Sequence, residues 1–222
     1  NVSKHIVNVF ALLLLLLVGT VFVTTPASLL ALLMDGKVAL WILIVVIFIY
    51  YFLSTILPID KIIGRLYPYF GAVLLIGTVG VGVALLVSDY TIPELSLTNM
   101  HPDNVPIFPI LFFTITCGAL SGFHATQSPI ISRTVEKESQ GRYVFYGMMI
   151  TEAVIAMIWA AAAMSMLDGQ TLSEFIATGT PSAVVNEVSM TLLGAIGGTI
   201  AVLGVVVLPI TSGDTAFRAA RS

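Results

Sequence analysis

The sequence predicts an all-α, polytopic membrane protein with about six transmembrane helices, and three observations carry that expectation. Hydrophobic residues make up 58% of the chain and charged residues 9%, against the roughly 25% charged content of soluble domains. Six apolar runs recur, at 6–24, 38–57, 71–88, 107–123, 144–166 and 190–210, and a bilayer core needs runs of about 17 to 25 residues. The charges fall between these runs with a bias. If the spans alternate, Lys4, Lys61, Arg65, Arg133, Lys137, Arg142, Arg218 and Arg221 share one side. The other side receives only Lys37, with Asp35, Asp89, Glu94, Asp103, Asp168, Glu174 and Glu187. The positive-inside rule then places both ends in the cytoplasm.

The same counts exclude several function classes. A net charge of -3 with no block of like charges offers nothing to a nucleic acid. The single cysteine, Cys117, permits neither an intramolecular disulfide nor a Cys-rich metal site. No metal or cofactor is expected. Residues 1–222 read as one transmembrane domain, and a chain that opens on Asn1 and turns apolar at once is expected to be a piece of a longer protein. Lys4, the leucines at 12–17 and the stretch Thr24 to Ala27 mimic a signal peptide, but five further apolar runs favour a first membrane helix.

Taken in order, the first run resumes after Pro26 as far as Met34, which predicts a kinked or two-part helix. The second, with Trp41 near one end and Tyr50 and Tyr51 near the other, reads as a lipid-facing or scaffold helix. Between Pro58 and Phe70, charges alternate with Ile and Tyr, as in an interfacial segment or a solvated loop with anchoring aromatics. Gly71, Gly77, Gly80 and Gly82 in the third run allow another helix to approach closely. The connection from Asp89 to Val105, with Pro93 and Pro102, reads as a lid or a passive cap. His101 within it has no second ligand at metal-binding spacing. Arg133 to Arg142 reads as a solvated charged turn. The piece Leu172 to Ile176 reads as a short surface helix ended by Pro181. Gly194, Gly197, Gly198 and Gly204 mark the last run as close-packing.

Chemistry concentrates in the fourth run, which starts at Pro106 or Pro109, where proline suits a first helical turn. It leads into Cys-Gly-Ala-Leu-Ser-Gly-Phe-His-Ala-Thr-Gln-Ser-Pro at 117–129. On an unbroken helix Thr114, Cys117, Ser121 and His124 share one stripe. Two readings stay open. Either the span ends at Phe123 and a turn follows, or the helix unwinds and offers Ser121, His124, Thr126, Gln127 and Ser128 to a substrate, as discontinuous transporter helices do. Glu152 is the one carboxylate well inside an apolar run. A carboxylate at that depth costs several kcal/mol, on the order of 2.5 to 3.5, unless paired or protonated. It is therefore expected either to exchange a coupling proton or to be a protonated, hydrogen-bonded structural group.

Past the last run, Ser212 or Asp214 suits a helix N-cap and Asp214 pairs with Arg218 at i, i+4, so a new helix is expected there. The sharper alternative is a second break in the membrane at which Thr211, Ser212 and Asp214 bind an ion or substrate. The familiar enzyme signatures, a phosphate-binding Gly-Lys loop, His-Glu-x-x-His and Cys-x-x-Cys, are absent from the sequence. Ser121 with His124 lacks a third orienting acid, so no enzyme is expected. A channel or membrane sensor, with the stripe lining a pore or pocket, is the alternative to a carrier.

Three stretches carry a family resemblance: residues 117–129 above, Leu-Pro-Ile-Thr-Ser-Gly-Asp-Thr-Ala-Phe-Arg-Ala-Ala-Arg at 208–221, and Val-Gly-Thr-Val-Phe-Val at 18–23. With them the chain resembles the carbon starvation protein A family of bacterial transporters, over essentially its whole length and as the middle and later part of a longer member. The resemblance implies a carrier in the bacterial cytoplasmic membrane that takes up nutrients during carbon starvation. Its implied partners are the lipid bilayer, a peptide or small carboxylic acid such as pyruvate, and a coupling cation, with the proton foremost. It also implies kinship with the amino acid, polyamine and organocation transporters and their broken helices.

Overall fold

The computed structural model describes residues 2–56, 60–94, 99, 104–118, 128, 131–167 and 169–221. Its main helices are α1 (Val2–Leu33), α2 (Leu40–Ile56), α3 (Asp60–Val87), α4 (Ile107–Gly118), α5 (Met148–Met166) and α6 (Gly169–Arg221). A 3-10 turn at Glu138–Gln140 and a π-helical turn at Arg142–Gly147 lead into α5. Within the described residues each expected apolar run lies mainly on one of these helices. By length and composition, Ser3–Leu33, Arg65–Val87, Glu138–Met166 and Thr180–Phe217 suffice to cross a membrane, and α2 is a shorter apolar helix. α4 is described over 12 residues, with the extended Phe108 ahead of Pro109. The chain is a multi-pass membrane protein.

Three expectations about the helices need correction. α1 is not in two parts, because Pro26 sits inside a continuous helix, where it is fully buried. Proline is tolerated in a membrane helix where a neighbour meets the carbonyl it leaves without a donor, and here the Tyr51 hydroxyl lies 3.0 Å from Phe22 O, four residues before Pro26. The loop reading of the stretch up to Phe70 also fails, since α3 is helical from Asp60 through Pro68 into the span. Nor is α2 wholly lipid-facing. Trp41 and Phe48 point outward, but Leu43, Ile47, Tyr51 and Ser54 are buried.

Small residues set the packing, because inside a bilayer there is no water to expel and close van der Waals contact holds helices together. α3 and α6 run antiparallel. A Cβ added at Gly77 would stand 2.9 Å from Ala201 Cα, and one at Gly204 would stand 2.9 Å from Leu74 Cα. At Gly71 such an atom would meet nothing. Val81 and Leu85 of α3, Ala162 and Leu167 at α5, and Val184 and Val188 of α6 form one buried cluster. Trp159 Nε1 adds a hydrogen bond to Thr78 Oγ1 at 3.1 Å, from α5 to α3. α1 packs its Val23 and Ala27 against Leu43, Ile47 and Tyr51 of α2, and its Leu29 against Val202 and Val206 of α6.

α6 is not a straight rod. Thr180 (φ 70, ψ 162) and Gly194 (φ 67, ψ -176) interrupt it. The first break ends the surface helix at Pro181, where the sequence places it. At the second, a Cβ on Gly198 would lie 2.8 Å from Met190 Cα and from Ser189 O. Eight residues of straight helix rise about 12 Å, so the chain bends sharply at Gly194. The ψ of that turn is essentially open to glycine alone at such a φ. The break expected at Thr211, Ser212 and Asp214 therefore lies instead at Gly194, and no new helix starts at Ser212 or Asp214. Thr211 Oγ1 donates back to Leu208 O and Thr215 Oγ1 to Thr211 O, both within one unbroken helical stretch.

Candidate functional site

The polar groups that the helices bring together lie where α2, α3 and α6 meet, beside α1. α6 there reads Pro-Ile-Thr-Ser-Gly-Asp at 209–214. Pro209 and Gly213 are buried in the bundle, and Asp214 is only 4% exposed. An isolated buried carboxylate is costly unless hydrogen bonds hold it. Ser54 Oγ of α2, fully buried, donates to Asp214 Oδ1. Tyr67 OH of α3 donates to Asp214 Oδ2 at 3.2 Å. Each carboxylate oxygen thus meets a hydroxyl from a different helix.

Beside this group Tyr51, 2% exposed, ties the helices together. Its hydroxyl stands 3.0 Å from Phe22 O of α1 and 3.0 Å from Pro209 O of α6. Its ring packs on Phe217 with centroids 5.1 Å apart, and a Cβ at Gly213 would stand 2.6 Å from its Cζ. Gly213 is therefore the vacancy that Tyr51 fills, and it leaves Asp214 one residue away from a fixed contact. In the same way Gly19 makes room for Phe217, whose Cζ would be 2.7 Å from an added Cβ. Thr55 Oγ1 bonds Tyr51 O at 2.7 Å and holds the end of α2 in helical form.

Among the described residues singled out from sequence, Asp214 is the one placed in a buried polar cluster. Ser212 and Thr211 are half-buried on the same turn of α6. Glu152 is the central residue of the 29-residue Glu138–Met166 stretch and is half-buried. Ser128 is a half-buried helical residue. Ser121, His124, Thr126 and Gln127 lie outside the described residues, as do the side chains of Thr114 and Cys117. Among the described residues no group of three or more His, Cys, Asp or Glu is placed to hold a metal ion.

Sequence reasoning missed Ser54, Tyr51 and Tyr67. Ser54 carried a faint signal as the first aliphatic hydroxyl after an almost wholly apolar run of α2. Tyr51 and Tyr67 carried none, because aromatic residues near helix ends are expected at the interface in any case.

The family model for carbon starvation protein CstA matches residues 1–216. An uncharacterized membrane protein of Haemophilus influenzae is 39% identical over 229 residues, covering 79% of this chain and 62% of its own length. The peptide transporter CstA of Escherichia coli is 34% identical over 116 residues, 49% of this chain and 16% of that protein. The pyruvate/proton symporter BtsT of the same organism is 31% identical over 156 residues, 67% of this chain and 21% of that protein. The chain thus spans about three-fifths of the first relative and about a fifth or less of the named transporters. No solved structure matches. With its family model matched from the first residue to within six of the last, the chain belongs to the carbon starvation protein CstA family.

Proposed function

We propose that this chain is part of the helical bundle of a secondary transporter in the bacterial cytoplasmic membrane. It takes up a small organic nutrient, a peptide or a small carboxylic acid such as pyruvate, together with a proton, and both ends of the chain face the cytoplasm. The observation that carries the reading is the carboxylate of Asp214, buried at the junction of three apolar helices and held by hydroxyls from two of them. A charged group kept at such a place in a membrane protein is a functional site by default. The named relatives, a peptide transporter and a pyruvate/proton symporter, support the carrier class.

In this mechanism Asp214 binds and releases the coupling proton, with Ser54 and Tyr67 fixing both oxygens. Glu152, at the centre of its own span, is a second proton-exchanging carboxylate. Ser121, His124, Thr126, Gln127 and Ser128 bind the substrate, and Thr211 and Ser212 line the approach to Asp214.

The test uses the full-length protein in liposomes, with labelled pyruvate and a labelled dipeptide under an imposed proton gradient. Asp214→Asn abolishes gradient-driven accumulation while leaving exchange of internal for external substrate intact. Undiminished accumulation by Asp214→Asn would overturn its role, and passive, non-saturating flux in the wild type would favour a pore over a carrier.

A further inference from the structure

Asp214 and its two partners share one depth in the bundle. Ser54 lies two residues before the end of α2 at Ile56. Tyr67 lies two residues into the span that opens at Arg65, and Asp214 three residues before its own span closes at Phe217. At a rise of about 1.5 Å per residue, all three stand roughly 3 to 5 Å inside the same end of the bundle. Glu152, by contrast, is midway along Glu138–Met166. Arg65 marks the end that holds Asp214, and Lys61, Arg218 and Arg221 lie beyond it. The positive-inside rule assigns such an end to the cytoplasm.

Toward the opposite end the surroundings of Asp214 turn apolar. No polar side chain occurs on α2 from Ile42 to Ile49, on α3 from Gly71 to Gly77 or on α6 from Ile200 to Ile210. α3 and α6 touch there through main chain, Gly204 on Leu74 and Gly77 on Ala201. α1 closes on α6 with Leu29 against Val202 and Val206, and on α2 with Val23 and Ala27 against Leu43 and Ile47. A proton moves along water or hydrogen-bonding groups, and close-packed apolar contacts hold neither. The near end differs. Ser54 is fully buried, but Tyr67 is half-buried between the exposed Leu66 and Pro68. Of the two hydroxyls on the carboxylate, that of Tyr67 belongs to the side chain that borders the surroundings.

We infer that Asp214 exchanges its proton with the cytoplasm alone, and that Tyr67 is the cover over that exit. The inference rests on the proton-coupled reading above and deepens it: a proton from outside binds another group first, and Asp214 hands it to the cytoplasm. Among the described residues, the titratable groups around Asp214 are the hydroxyls of Tyr50 and Tyr51 from α2 and of Tyr67 from α3. α1 brings Gly19 and Phe22 to this level. None of these leads outward. When the Tyr67 ring turns away, its bond to Oδ2 breaks and the carboxylate meets the cytoplasmic end, while Ser54 keeps its hold on Oδ1.

The experiment asks from which face of the membrane the neighbour of Asp214 can be reached. The full-length protein with Cys117→Ser and Ser54→Cys is placed in vesicles of both orientations. Silver ion, a small thiol-binding cation that crosses bilayers poorly, is added in chloride-free buffer. Lys37→Cys and Lys137→Cys, both at exposed positions, mark the two faces with an impermeant maleimide. The thiol at 54 is expected to react from the Lys137 face alone, and about tenfold faster when Tyr67→Ala removes the covering hydrogen bond. Reaction from the Lys37 face, from both faces or from neither, or a rate that Tyr67→Ala leaves unchanged, would overturn the assignment. So would labelling of Lys137→Cys from outside intact cells. Ser212→Cys, half-buried on the same turn as Asp214, repeats the measurement should Ser54→Cys not fold. The transporter reading fails separately. Wild-type vesicles that accumulate neither labelled pyruvate nor a labelled dipeptide remove the carrier and keep the one-sided access.

Discussion

The hydroxyl of Tyr51 stands 3.0 Å from the carbonyl oxygen of Phe22, and Pro26, four residues on, has no N–H to give that carbonyl. Tyr51 therefore repairs α1 from outside. The same hydroxyl is 3.0 Å from Pro209 O, so one proton serves two acceptors on two helices. Tyr51→Phe is expected to cost about 1 to 3 kcal/mol, the range for leaving a buried polar group unmatched, read from unfolding in mixed detergent. Because Pro26→Ala restores the helical donor, the loss shrinks in that background, and a double-mutant cycle measures the coupling. Equal losses in both backgrounds would contradict this account of Pro26.

Gly77 and Gly71 offer a matched pair on α3. An added Cβ at Gly77 meets Ala201 Cα at 2.9 Å, while at Gly71 it meets nothing. Gly77→Ala should destabilise the bundle by about 1 to 3 kcal/mol through overpacking. Gly71→Ala should be neutral or slightly stabilising, since alanine favours helix by up to about 1 kcal/mol. The comparison is made by thermal unfolding of both variants side by side.

Gly194→Ala places a side chain at φ 67 and ψ -176, a strained combination that costs on the order of 1 to 3 kcal/mol. Relief comes from straightening α6, which separates Met190 from Gly198. With spin labels on cysteines introduced at the exposed positions 191 and 200 of a Cys117→Ser protein, the label–label distance should lengthen when Gly194→Ala is added. An unchanged distance would show that the bend does not depend on this glycine.

Ser54→Ala and Tyr67→Phe each remove one hydroxyl from Asp214. Hydrogen bonds to charged groups are worth about 1.5 to 3 kcal/mol, so proton-driven uptake is expected to fall roughly tenfold or more in each variant. The double variant should lose less than the sum, because both hydroxyls act on one carboxylate. Strict additivity would indicate that the two hydroxyls act on separate groups.

The apolar runs and the glycine contacts were readable because a bilayer imposes length and small residues leave a visible pattern. Gly77 and Gly204 pack backbone to backbone as their composition suggests. The break in α6 was misplaced because Pro209, Ser212 and Asp214 look like punctuation, whereas Gly194 is one glycine among several in its run. Its conformation depends on Gly198 docking against Met190, which no local pattern records. Asp214 was legible as a candidate, but its partners were not. Ser54 lies 160 positions away and Tyr67 147, and α2 is apolar on nearly every face, so no periodicity marks its inward side. The side chains of His124 and Gln127, prominent in the sequence, lie outside the described residues.

The glycine contacts between α3 and α6 also bear on how the bundle rearranges. With Gly77 and Gly204 letting main chains touch, there is no flexible side chain at these two contacts to take up sliding. They move as a single strut. α1 meets that strut through the Phe217 ring at Gly19, the aliphatic contacts around Leu29, and Tyr51 bridging from α2. These are contacts of side chains that can turn or slip. Rocking of the bundle is then expected along the seam of α1 with α6, and Tyr51 is its fastener.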